Sequence, residues 1–270
     1  MPFEAYKIYD EYEPNKYKTS TQKKVEQALD IAKKENLIPE AKETNIEFNE
    51  ARELFGKDFL GPESVKTTYG VELTPEELQE IENIPFTREE LEQAKHLKMM
   101  LVLRVSHDKD GNLLTIKQLR EQFGSDDALG DPAKKKTNLF WKSQDWYNDQ
   151  EFATKPTPQL KWSLVTKDVL QESLDKNWDQ QEEVLKKWAK DNNIDPNTIK
   201  RRTPVEIIYD TLLYYGANKE SLLESTWDWS AVQSSDGSFV DVGSFDSGGL
   251  DVSDDTRDGT SSSLGVCPSR

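Results

Sequence analysis

Apolar residues recur along this chain at two spacings, and the change from one to the other sets out the expected elements. Val25, Ala28, Leu29, Ile31 and Ala32, following Ser20 or Thr21, share one face of a helix whose other face is lysine and glutamate. Before it, Tyr6, Tyr9, Tyr12 and Tyr17 lie among charges without a period, which predicts a frayed or docking arm. A further helix is expected around Asn49 to Phe55. Thr74-Pro75-Glu76-Glu77 and Thr87-Arg88-Glu89-Glu90 each pair an N-cap threonine with a carboxylate three residues on, so each predicts a helix start, the second running through about Leu97. Met99 to Val105 is then a nearly continuous apolar run of strand length. A turn from Ser106 to Asn112 leads to a short helix from Thr115 with Ile116, Leu119 and Phe123 on one face, and a loop is expected from Gly124 to Thr137. Beyond the aromatic group Phe140, Trp141, Trp146, Tyr147 and Phe152, Lys161 to Thr166 predicts a second strand. Helices are expected from Leu174 to Lys190 and from Thr203-Pro204-Val205-Glu206 to Gly216.

Past residue 226 the period is two. Trp227 and Trp229 alternate, as do Val240 and Val242, Leu250 and Val252, and Leu264 and Val266, with Phe245 between and glycine- or aspartate-bearing turns separating the pairs. Short antiparallel strands follow, with Trp227, Trp229, Val240, Val242, Phe245, Val252, Leu264 and Val266 inward and Gly237, Gly243 and Gly265 allowing tight turns or close packing. The residues left facing outward are Ser238, Asp241, Ser244, Asp246, Ser247, Asp251, Ser253, Asp254, Asp255, Thr256, Arg257, Asp258, Thr260, Ser261 and Ser262. They are small, polar and varied, which suits an adaptable contact surface on a fixed frame. The fold class expected is α+β: a helical N-terminal extension over residues 1–85, then a domain over 86–270 whose binding region is about 230–270.

Composition sharpens the last segment. Residues 234–270 contain no Lys, Glu, Gln, Met or Trp, although these five types make up 77 of the 233 residues before it. Random composition would give such a gap with odds on the order of one in a million. The charge of −16 disfavours nucleic acid and anionic membrane surfaces as partners, and no run approaches the length of a membrane span. The opening MPFEAYKIYDEYEP has neither a basic nor an apolar leader region, so a cytoplasmic location is expected, with a phage particle as the alternative.

The tryptophan-bearing strand, Ser-Ser-Asp-Gly at 234–237, Val-Gly at 242–243, Phe245, Gly249, Val252 and the terminal Leu-Gly-Val-x-x-Ser-Arg at 264–270 resemble the C-terminal variable region of target proteins of diversity-generating retroelements. The resemblance is strong over the last 45 residues and looser back to residue 86, where Arg202-Thr203-Pro204-Val205-Glu206 is similar to the start of that family's second helix and KWSLVT to a first-sheet strand. It implies a C-type-lectin-like fold, related to that of the formylglycine-generating enzyme, with the variable residues on the ligand-binding face. It also implies adenine-directed mutagenic reverse transcription, which turns AAY codons into NNY codons. NNY codons cannot encode Lys, Glu, Gln, Met or Trp. The fold's usual Gly-Gly-Ser-Trp stretch is not present as such.

The chemistry-bearing residues point away from catalysis. Asp108-Lys109-Asp110-Gly111-Asn112 starts like a calcium loop but reaches Leu119 where the bidentate acid belongs. His96 and His107, the two histidines, are eleven apart and have no metal-ligand spacing, with His96 expected on the solvated side of its helix. Neither a nucleophile elbow nor a phosphate loop is present. Cys267 is the single cysteine, expected at a substitutable position of the terminal strand, which leaves no pair for formylglycine-type chemistry. The reading is a non-catalytic binding protein without cofactor or metal. Its partner is expected to be a protein with a basic patch, because seven aspartates face Arg257 and Arg270 in the last segment. The alternatives are a phage- or cell-surface-type adhesin, whose N-terminal region oligomerises, and an interaction protein with a disordered acidic tail.

Overall fold

The computed structural model describes residues 48–124, 139–142, 144–155 and 159–270. The tyrosine arm, the helix expected after Ser20 or Thr21 and nearly all of the loop expected after Gly124 lie outside them. Among the described residues the chain is mixed α and β, with eight α-helices and two small mixed sheets. The helices are α1 (Phe48–Phe55), α2 (Pro62–Tyr69), α3 (Pro75–Ile81), α4 (Arg88–His96), α5 (Ile116–Phe123), α6 (Glu151–Thr154), α7 (Trp178–Asp191) and α8 (Pro204–Asn218). The strands are β1 (Phe59–Leu60), β2 (Met99–Arg104), β3 (Lys161–Thr166), β4 (Trp227–Gln233), β5 (Phe239–Asp246), β6 (Gly249–Asp255) and β7 (Leu264–Gly265).

Capping chemistry decides several helix starts. Thr74 and Thr87 each accept from the backbone N–H three residues on, while Glu77 and Glu90 accept in return from the threonine N–H. The helix expected from Leu174 begins instead at Trp178. Asn177 and Gln180 form the reciprocal pair there, and residues 171–173 are a separate 3₁₀ turn. α2 and the two-residue β1 were not foreseen: α2 starts on Gly61 with no side-chain cap, and two residues show no period.

The division expected at residue 85 is not where the contacts divide. Asn45–Arg270 form one compact unit, and β1 pairs in parallel with β2, Phe59 opposite Leu101 and Leu60 opposite Val102. Ala51, Phe55, Val65, Tyr69, Ile81 and Ile84 are buried in the same cluster as β2 and α8, so this stretch completes the core rather than extending from it.

The first sheet has the order β1-β2-β3, with β2 and β3 antiparallel. The second has the order β6-β5-β4-β7, antiparallel except for the pairing of β4 with β7. α8 is buried on nearly all sides, as an all-round apolar helix must be, and touches both sheets. Tyr209 donates to the Leu103 carbonyl at 3.0 Å on one side, and Tyr215 meets Phe245 edge-on at 5.2 Å on the other. After β7 the chain continues back to the first sheet, where Arg270 and Leu164 exchange backbone bonds of 2.8 and 2.9 Å.

Beneath the second sheet runs a buried charge network. Arg104, at the end of β2, grips Asp210 of α8 with two bonds of 2.9 and 2.6 Å and Glu206 with a third of 2.6 Å. Arg202 bonds Asp210 at 2.8 Å and Asp228 of β4 at 2.8 and 3.1 Å, and the Cys267 N–H donates to Asp228 at 2.8 Å. Burial opposes ionisation of Glu206, yet Arg104, the Thr203 N–H, Lys200 and Lys161 hold its carboxyl down to about 2.

Candidate functional site

The second sheet has two apolar sides, and the inward set expected from alternation is divided between them. Val240, Val242, Phe245 and Val252 face the main core together with Leu250. Trp229, Phe239 and Leu264 form a separate cluster against which Trp227 and Trp178 pack. Trp227, Trp229 and Leu264 therefore do not share a side with the valines, although Val266 is buried as well. The cross-strand register lays out this outer side in rows: Trp227, Gly243 and Asp251; Trp229, Asp241 and Ser253; Phe239 and Asp255.

Local features shape its ends. Asp236 and Gly237, the latter at φ +93°, close the β4–β5 turn, where the Asp236 carboxylate accepts from the Ser234 hydroxyl at 2.7 Å and the Ser238 N–H at 2.9 Å. A Cβ at Gly243 would strike the backbone of Thr226 and Trp227, so β4 and β5 approach too closely there for any side chain. The register shifts immediately afterwards, at Ser244, whose φ of +49° is left-handed. At Gly265 a Cβ would meet Val169 and Ser173.

The outer side is partly roofed. Trp178, the first residue of α7, stacks on Phe239 at 4.5 Å and 21°, donates to the Ser230 carbonyl at 3.2 Å and carries the Arg201 guanidinium 4.6 Å above its ring. The loop after β6 docks on the same helix end: the Trp178 N–H donates to the Arg257 carbonyl at 3.1 Å, and Arg257 forks onto Asp179 at 2.9 and 2.5 Å. The open edge of β6 is covered by residues 139–142 and 144–146, through Trp141 N–H to the Leu250 carbonyl, Val252 N–H to Gln144 and Trp146 Nε1 to the Val252 carbonyl. Of the aromatic group, Phe140, Tyr147 and Phe152 are core, while Trp141 and Trp146 remain 46% and 39% exposed at this rim.

The expected contact residues then fall into three states. Asp246, Ser247, Thr256, Arg257, Asp258, Thr260 and Ser262 are exposed. Ser238, Ser244, Asp251, Ser253, Asp254, Asp255 and Ser261 are half-buried, several already committed: Asp251 to Gln144, Asp254 to the Ser234 hydroxyl at 2.7 Å, Asp255 to the Thr256 N–H at 2.7 Å. Asp241 is a correction. It has the outward parity expected of it but is only 4% exposed, because Trp229 and Phe239 occupy its own side of the sheet. Cys267 is a second correction: it is fully buried in the core, where desolvation pushes its thiol well above the ordinary value, so it is not a surface position. The disordered-tail alternative fails too, since residues 227–265 form the second sheet.

Asp241 is the electrostatic exception on this side. Among the described residues no hydrogen bond or ion pair reaches its carboxylate. Burial, then Asp255, Asp254, Asp251 and Asp228, raise it well above the ordinary carboxylate value. Elsewhere acids are spent locally: Asp108 accepts from the backbone of Asp110 and Asn112 at 2.9 Å, and Glu77 holds His107 at 2.8 Å. Among the described residues no three His, Cys, Asp or Glu side chains converge to hold a metal ion, and no helix is long and apolar enough to cross a membrane.

No family model, curated protein or solved structure matches this chain.

Proposed function

We propose that the chain is a non-catalytic ligand-binding protein of the diversity-generating retroelement type, with a C-type-lectin-like domain whose outer C-terminal side is the diversified surface. One observation carries the reading. Within the stretch that lacks Lys, Glu, Gln, Met and Trp, Asp241 of β5 and Asp251, Ser253 and Asp255 of β6 hold the outward parity, in alternation with buried Val240, Val242, Leu250 and Val252 on the core side. A codon-restricted process acting on the first set would leave the second intact. The outer side is framed by residues from outside the stretch, Trp178, Trp227, Trp229 and the segment carrying Trp141 and Trp146, which would hold it still while its polar members change. Its ligand is a protein with a basic patch, matched to the seven aspartates of the stretch.

Two tests apply. Simultaneous substitution of Asp241, Ser244, Asp246, Asp251, Ser253 and Asp255 by other NNY-encoded residues leaves a cooperatively folded domain, measured by calorimetry; unfolding would show that the side is structural. The neighbouring DNA carries a near-copy of the last hundred or so nucleotides that differs chiefly at adenines, beside a reverse transcriptase gene. A neighbourhood with no such copy contradicts the proposal.

A further inference from the structure

We infer that the Asp241 carboxylate is the anchor for an arginine side chain presented by a protein partner, inserted between β4 and β6 on the outer side of the second sheet. The inference rests on the reading of that side as a binding surface and names the chemistry its centre selects.

Three observations carry it. Asp241 is only 4% exposed, and its carboxylate has no hydrogen-bond or ionic partner among the described residues, so beyond a small contact with solvent only other acids act on its charge. The residues around it add no countercharge: Asp251 and Asp255 lie diagonally on the same side of β6, Asp228 comes from β4, and Asp254 is the fourth acid acting on it. The nearest guanidinium groups around the Trp178 roof are already engaged, Arg201 with Glu182 and the Trp229 carbonyl, Arg257 with Asp179. A cationic occupant is what this setting favours, and the 4% exposure of Asp241 favours a charge carried on a long stem.

Geometry then selects among cations. Diagonal positions across two antiparallel strands lie roughly 7–8 Å apart, too far for one small ion to be shared but within the span of a planar group with five donors. Exposed Trp141 and Trp146 at the β6 rim supply aromatic surface for the rest of an arginine-bearing segment.

The probe is acetyl-Gly-Arg-Gly-amide, against the same peptide with citrulline, which keeps the shape and removes the charge. The intact chain is titrated while the Asp241 carboxyl carbon is followed by NMR. The arginine peptide is expected to shift that resonance and lower its titration midpoint, and to bind several-fold more weakly as salt rises from about 50 to 500 mM. The citrulline peptide leaves it unmoved, and Asp241→Asn reduces arginine-peptide binding at least tenfold while keeping the fold. Failure of the arginine peptide to bind at millimolar concentration, equal binding by the Asn variant, or calcium chloride moving the resonance where the peptide does not would each overturn the anchor. Unfolding of the sixfold surface variant would instead count against the binding-surface reading.

Discussion

Asp228 and Asp241 are nearly opposite each other on adjacent strands, both are buried, and they have been given contrary surroundings. Asp228 points to the core side of β4, where Arg202 and the Cys267 N–H saturate it and Arg202 links it through Asp210 to Arg104. Asp241 points to the outer side of β5, where other aspartates surround it and no partner reaches it. The difference separates two uses of a buried charge. On the core side each acid is matched by an arginine fork, so a change there costs the fold; on the outer side the mismatch is a standing cost that a ligand can offset.

The most severe way to break the comparison is Asp210→Asn. It leaves Arg104 and Arg202 both undercompensated, and equilibrium urea unfolding is expected to show a loss of about 3–5 kcal/mol. Asp241→Asn is expected to act with the opposite sign, stabilising the chain at neutral pH by on the order of 1–3 kcal/mol in the same assay. Because the folded Asp241 carboxyl is raised, its ionisation opposes folding, and the opposition is fullest at high pH. The advantage of the Asn variant is therefore present at neutral pH and vanishes once the pH falls below the ordinary carboxylate range. Glu206 runs the other way. Its folded value of about 2 lies below its unfolded one, so its contribution is full above about 4.5 and is lost as pH falls toward 2; Glu206→Gln is expected to flatten that acid limb of stability. At the small end, Arg257→Ala removes an exposed pair with Asp179 and is expected to leave the urea midpoint nearly unmoved, because solvent and salt screen such a pair.

Much of this was legible in the sequence where a local rule applied. The capping residues Thr74, Thr87 and Thr203 mark helices that exist, and KWSLVT is a strand with the bounds expected of it. Alternation in the last segment revealed strands and which residues share a side, but not that both sides are covered. The cover on the outer side comes from Trp178, some sixty residues earlier, and no local period reports a contact at that separation. That is why Asp241 was expected in solvent and the tryptophans in the main core. The buried network has a faint signal in the sequence: Arg104 interrupts MMLVLRV, and Glu206 and Asp210 interrupt VEIIYDTLLYY, charges inside apolar runs that must find partners once buried.

The contrast between the two sides of the second sheet can be read directly from carboxyl titrations of the intact protein by carbon-13 NMR. Glu206 is predicted to titrate near 2 and Asp241 well above the ordinary carboxylate value. An Asp241 midpoint at or below that ordinary value would mean that a countercharge already reaches it, and would contradict the account.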